Sequence, residues 1–138
     1  MTKTLKKVYF TWEQFDDAVN FIANSLDHKG ITSELGCVYG MPRGGLVVAV
    51  KISHLLNIPL VPSIEVGALY GKKILIVDDI SDTGKTFNRI SEWSKLDVNL
   101  YDRICSACIH YTDWSIFEPT IWYQKKKLNS WITYPWEI

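Results

Sequence analysis

Apolar residues recur at helical spacing near the start of the chain, at Trp12, Phe15, Val19, Phe21, Ile22 and Leu26, the stripe of a helix with one buried face. Thr11 followed by Gln14 forms a capping box, and Lys29 and Gly30 supply the stop, so the pattern predicts a helix over about residues 12–27. Period and length then change. LGCVYG, ending at Gly40, reads as a short buried strand, and MPRGGLVVAVKISHLLNIP as a tight glycine turn leading into a helix that breaks before Pro59. LVPSIEV reads as a strand whose proline suits an edge or irregular position. KKILIVDDI is apolar on both faces, as a central parallel strand must be. GKTFNRISEWSKL is helical, RICSACIHY is a further strand and TIWYQ a shorter one. Strands alternating with helices predict an α/β fold: a mostly parallel central sheet flanked by helices. With no repeat, linker or low-complexity stretch, residues 1–138 read as one domain.

Composition narrows the function without naming it. The chain has 138 residues, 47% hydrophobic and 22% charged, with 15 acidic and 15 basic side chains. A net charge of zero excludes a nucleic-acid partner held mainly by charge, so any anion site is local. No apolar stretch follows the early lysines and the longest apolar run stops at Lys51. The expectation is a cytosolic protein with no secretion signal and no membrane span. Cys37, Cys105 and Cys108 are odd in number and sit among strand formers, which suits reduced thiols. The C-x-x-C spacing of Cys105 and Cys108 invites a zinc or redox reading, but on a strand two positions three apart face opposite sides, so the sulfurs diverge.

The chemistry concentrates in ILIVDDISDTGKT, residues 74–86. Ligands of parallel α/β sheets bind where strands end at their carboxyl edge, and Asp78 and Asp79 stand at such an edge. The SDTGKT that follows turns into a helix, whose free N–H groups and positive dipole end cradle a phosphate. Thr83 and Thr86 add hydroxyls, and Gly84 permits close approach of the backbone. Carboxylates beside a phosphate cradle make sense once a sugar lies between them: the acids accept from ribose hydroxyls and can hold Mg²⁺ directly or through water. A Walker A loop is disfavoured, because its first glycine falls on Asp79, where a carboxylate repels a triphosphate. A receiver-type acidic pocket needs no phosphate-cradling turn beside it. An isolated Asp-Asp pair would read as a solvated strand end; the full ordered string argues for the ligand site.

ILIVDDISDTGKT closely resembles the phosphoribosyl-pyrophosphate (PRPP) signature of the type I phosphoribosyltransferases. GMPRGGL resembles that family's pyrophosphate loop, and the C-terminal WITYPWE resembles the ending of its xanthine-guanine branch. The resemblance implies a Rossmann-like sheet with a small C-terminal hood. The implied reaction moves ribose 5-phosphate from PRPP to a purine-type base, yielding a nucleoside monophosphate and pyrophosphate with Mg²⁺. By the same resemblance Asp78 and Asp79 face the ribose hydroxyls, Asp79 also the metal, and Asp82 the proton of the base. Ser81, Thr83, Gly84, Lys85 and Thr86 would surround the 5-phosphate, and Arg43 and Gly44 the pyrophosphate. Asp79, Asp82 and Arg43 are the implied catalytic set. Trp131 would stack on the base, and the Ile132 backbone would meet its exocyclic group. The family often has a non-proline cis peptide in the pyrophosphate loop, for which the Pro42–Arg43 bond is the candidate. Homodimers or homotetramers are also implied.

Two departures stand out. Only about GALYG separates LVPSIEV from the signature strand, too short for the long mobile lid of active relatives. The lysine that reads the 6-oxo group of the purine in relatives is replaced at the matching place by Thr112 and Asp113. One of Lys125, Lys126 or Lys127 could stand in, although a run of three lysines reads as a solvated loop. The alternative function is therefore a non-catalytic or regulatory PRPP- or nucleotide-binding protein of the same fold.

Overall fold

The computed structural model describes residues 5–138; the opening Met1–Thr4, part of the stretch read above for a secretion signal, lies outside the described residues. Strands β2 (Leu35–Gly40), β3 (Lys73–Ser81), β4 (Ile104–Tyr111) and β5 (Ile121–Lys125) form a parallel sheet in that order. The α/β architecture expected from the alternating pattern is thus present. Helices α1 (Trp12–His28) and α2 (Gly44–Leu56) cover one face; α3 (Ile64–Ala68) and α4 (Lys85–Leu96) cover the other. The period-two geometry of β3 divides its side chains between two cores. Leu75 and Val77 pack with Val19, Ile22, Val48 and Ile52 on the α1/α2 side, whereas Ile74 and Ile76 pack with Ile64, Phe87 and Leu100 on the other. No described helix is long and apolar enough to cross a membrane.

The first helix starts at Trp12 with the capping box in place: Thr11 Oγ accepts from the Gln14 amide at 3.0 Å, and Gln14 Oε1 from the Thr11 amide at 2.8 Å. Such a cap contributes about 1 kcal/mol. Cys105 and Cys108 diverge into opposite cores as the strand geometry requires, and all three cysteines are free and buried. Burial pushes each thiol above its ordinary range.

LVPSIEV is not a strand. The Leu60 segment makes one parallel bridge to Val38 along the outer edge of β2, with Val38 N–H donating to Pro59 O and Val61 N–H to Val38 O, both at 2.9 Å. Strand alternation makes Ser63, not Pro62, the next residue facing β2. Ser63 then caps α3, its hydroxyl accepting from the Val66 amide at 3.2 Å. The chain thus passes from β2 over one face to its outer edge, then back over the other face to β3. That reversal makes the β2–β3 boundary the switch point of the sheet.

A second, two-stranded parallel sheet pairs β1 (Lys6–Tyr9) with β6 (Ser130–Thr133). It forms the hood, built from both ends of the chain rather than from the C-terminus alone. Phe10 N–H donates to Thr133 O at 2.9 Å. A cluster of aromatic rings, with Tyr134 stacked on Trp136 and Phe10 and Phe15 edge-on to them, ties the hood to α1.

Candidate functional site

At the switch point the loop after β2 meets the end of β3. Met41 N–H donates to Val77 O at 2.9 Å, and the Pro42–Arg43 peptide bond is cis, as expected from the loop motif. Gly44 opens α2 with no room for a side chain: a Cβ there would overlap the Asp79 carboxylate. The N-terminus of α2 therefore lies directly against the acid. Asp78 turns back on the backbone, its Oδ1 accepting from the Asp79 amide at 2.8 Å. Burial, then the Asp79 charge, pushes Asp78 up to about 8, and burial also raises Asp79. Two half-buried carboxylates this close keep both charges only when a cation or hydroxyl donors compensate them.

Beyond β3 the signature turns into α4 at Gly84, whose φ of +80° suits glycine. A Cβ at Gly84 would overlap Ser115 Oγ and come within 2.7 Å of the Phe117 amide. The β4–β5 loop thus braces the turn from behind. Ile116 N–H donates to Thr83 O at 2.8 Å, Ser81 Oγ lies 3.2 Å from Ser115 Oγ, and the Thr112 hydroxyl donates to Asp82 O. Thr112, at the place where the family resemblance leads one to expect a base-reading lysine, is fully buried in this brace. Ser81, the last residue of β3, is buried as well. Gly84 carries no capping side chain; Thr83 Oγ accepts from the Lys85 amide at 3.3 Å. Thr83, Lys85 and Thr86 are exposed.

Two cavities open on either side of Asp79. One, of about 130 Å³, is lined by Asp79, Asp82, Lys126, Trp131, Ile132 and Glu137 among others. The other, about 620 Å³, is lined by Arg43, Gly44, Val47, Asp79, Trp136 and Glu137. Six of the residues singled out in the sequence, Arg43, Gly44, Asp79, Asp82, Trp131 and Ile132, therefore converge, and Asp79 and Glu137 border both spaces. Asp78 and the turn from Ser81 to Thr86, apart from Asp82, line neither cavity and stand beside them.

The lysine run is not uniformly solvated. Lys125 is outward, paired with Asp113 at 2.7 Å, but the Lys126 side chain is only 11% exposed, with Nζ 3.0 Å from Asp82 Oδ2. The other Asp82 oxygen accepts from Trp114 Nε1 at 2.8 Å. Alternation explains the split: Lys126 N–H donates to Tyr111 O at 2.8 Å, so pairing continues past β5 and sends successive side chains to opposite sides. Carrying that period through the run would have separated Lys126 from its neighbours; nothing comparable in the sequence marks Trp114 or Glu137.

Among the described residues no cluster of three or more potential ligands forms a metal cage. Mg²⁺ binds through one or two carboxylates plus substrate oxygens and water, and Asp79, bordering both cavities, could serve as such a carboxylate.

No protein-family model matches the chain. It is 26% identical over 154 residues to the xanthine-guanine phosphoribosyltransferase of Cereibacter sphaeroides, covering 96% of this chain and 88% of that one. The crystal structure of a purine phosphoribosyltransferase from Pyrococcus horikoshii Ot3 is 30% identical, with a TM-score of 0.75 over 96% of this chain and 95% of that chain. A hypothetical protein from Neisseria gonorrhoeae, solved with bound ppGpp, shares the fold with a TM-score of 0.78 at 17% identity, over 99% of this chain and 92% of that chain. With the signature acids at the switch point and the pyrophosphate-type loop against them, these likenesses show that the chain belongs to the type I phosphoribosyltransferases, among the xanthine-guanine phosphoribosyltransferase-like members.

Proposed function

We propose that the protein transfers ribose 5-phosphate from PRPP to a purine-type base and releases pyrophosphate. The observation that carries this reading is the pair of cavities meeting at Asp79, one bordered by an aromatic face and the other by Arg43 and the α2 N-terminus. The ribose lies between them, its hydroxyls donating to Asp78 and Asp79, with its 5-phosphate on the main chain from Ser81 to Thr86. In the smaller cavity Trp131 offers its face to the base, and Ile132 its backbone to an exocyclic group. Lys126 there takes the place of the missing lysine, donating to an acceptor on the base edge. Asp82 holds two donors already, yet a carboxylate has about four lone-pair sites, which leaves capacity for the base proton released on bond formation.

As the bond from the anomeric carbon to the pyrophosphate oxygen breaks and the bond to the base nitrogen forms, positive charge grows at that carbon and negative charge on the departing pyrophosphate. Arg43 and the N–H groups at Gly44 stabilise the latter. Mg²⁺, when bound, supplies further positive charge to the diphosphate oxygens. Assembly into two or four copies belongs to the same proposal; Leu69, Leu96 and Val98 are 83%, 88% and 88% exposed and available for burial.

A second reading, a nucleotide-binding protein without turnover, is favoured by two observations. The segment between the Leu60 edge bridge and the signature strand forms α3 and a tight turn rather than a lid, and a structural neighbour was solved with ppGpp. Mass spectrometry of reactions containing PRPP, Mg²⁺ and a panel of purines separates the two. A nucleoside monophosphate with release of pyrophosphate supports transfer; binding without product across the panel supports the second reading.

A further inference from the structure

The hood and the catalytic strand meet at one buried hydroxyl. Tyr134 is 3% exposed, its ring stacked on Trp136 at 4.9 Å and edge-on to Phe10 at 5.8 Å. Its Oη lies 2.8 Å from His110 Nδ1 and donates to the main-chain oxygen of Asp79 at 3.2 Å. Asp79 is unusual within β3. Pairing with β2 ends at Val77, and pairing with β4 passes from Asp78–Cys108 to Ile80–His110 without a partner for Asp79. Its carbonyl is thus bonded to the hood instead of the sheet.

The direction of the hydrogen bonds follows from proton counting. A phenol has one proton, and here it goes to Asp79, so His110 must donate from Nδ1 to the phenolic oxygen. Burial lowers His110 to about 4, which leaves the ring neutral and Nε2 bare. Gln124 Oε1 lies 3.1 Å from that nitrogen; turning the amide about, an exchange of two nearly isosteric ends, brings its NH₂ group onto Nε2 as this proton count requires. The result is a one-way series from β5 through β4 and the hood to β3.

Resting on the proposed function, we infer that Tyr134 is a positioning residue: its hydroxyl, oriented by His110, fixes the main chain of Asp79 and so couples it to the base-facing segment. Trp131 and Ile132 lie three and two residues before the tyrosine, so the same side chain that anchors the base wall also sets the acid facing the ribose. Uncoupling them loosens the relative placement of the two reacting ends, and small misplacements near reacting atoms are costly in rate.

Tyr134→Phe keeps the ring packing and deletes one hydrogen bond. We expect it to lower kcat about tenfold, the size of one lost hydrogen bond with an acceptor left unpaired, while the KM for the base stays within about twofold. A folded Tyr134→Phe protein with unchanged kcat overturns the inference. If that variant does not fold, a histidine pair replaces it. His110→Asn keeps a donor near the Nδ1 position and should retain more activity than His110→Leu; equal losses overturn the inference.

A readout independent of activity is the backbone ¹⁵N shift of Ile80, which responds to the hydrogen bond on the preceding carbonyl. It should move in Tyr134→Phe, and a static shift overturns the inference. Wild-type protein that neither binds Mg²⁺-PRPP nor turns over would refute the proposed function instead, whatever the Ile80 shift does.

Discussion

Replacing Lys126 by Met isolates the contribution of the cation in the smaller cavity. Among the described residues Lys126 is the one basic residue lining that space, and its side chain is 11% exposed against 40% for Asp82. The folding cost is modest, because the pair is only partly desolvated; about 1 kcal/mol is the expected size. For a chain of this length that lowers Tm by roughly 4 °C. The catalytic cost is larger and selective. A charge-assisted hydrogen bond to a base acceptor is worth about 2 kcal/mol, which at 1.4 kcal/mol per decade is roughly 30-fold in kcat/KM. A base presenting an amino group at the same place has no acceptor for the ammonium and should lose little. The assay is kcat/KM for hypoxanthine and adenine with wild-type and Lys126→Met protein, alongside Tm. A kcat/KM ratio between the two bases that is the same in both proteins refutes the role given to Lys126. A loss confined to Tm would mean that the lysine only holds Asp82.

Other outcomes follow from the same geometry. Asp79→Asn should weaken Mg²⁺-PRPP binding at least tenfold by isothermal titration while leaving the apo Tm unchanged or raised, since it removes one of two crowded, half-buried carboxylates. Asp78 is raised to about 8, so its contribution is fully present below the ordinary carboxylate range and is lost as pH rises toward 8. His110 is lowered to about 4, so its contribution is present above pH 6.5 and is lost as pH falls toward 4. The two oppose one another between pH 4 and 6.5. Above 6.5 the His110 contribution is complete and Asp78, raised the further of the two acids, dominates the slope; through it apo stability should fall by at most about 2 kcal/mol by pH 8, a slope that Asp78→Asn reduces in urea titrations. Trp131, 55% exposed, should be dispensable for folding, and Trp131→Ala should raise the KM for the base about tenfold with Tm changed by under about 2 °C.

Much of this arrangement is legible in the residues themselves because the decisive signals are local. Thr11 and Gln14 mark the start of α1, and the doubly apolar run before Asp78 marks β3 as central. The divergence of Cys105 and Cys108 follows from strand alternation. What escapes the sequence depends on distant partners. KKVY becomes a strand only because Ser130–Thr133, at the far end of the chain, pairs with it. LVPSIEV fails as a strand because Ser63, the next residue that would face β2, caps α3 instead and the ladder ends after one bridge. The absence of a lysine at Thr112 is visible, but its consequence is not: the threonine braces Asp82 from behind, and the ammonium arrives from the next strand. The role of the Tyr134 hydroxyl rests on a contact across 55 positions of chain, beyond any local pattern.

The central claim is that the bend after β3 grips a sugar bearing a phosphate, and titration of ¹⁵N-labelled protein with Mg²⁺-PRPP tests it most directly. The account predicts that the amides of Thr83, Gly84, Lys85 and Thr86 shift together and saturate at one ligand per chain. Shifts elsewhere with these four amides unmoved would contradict it.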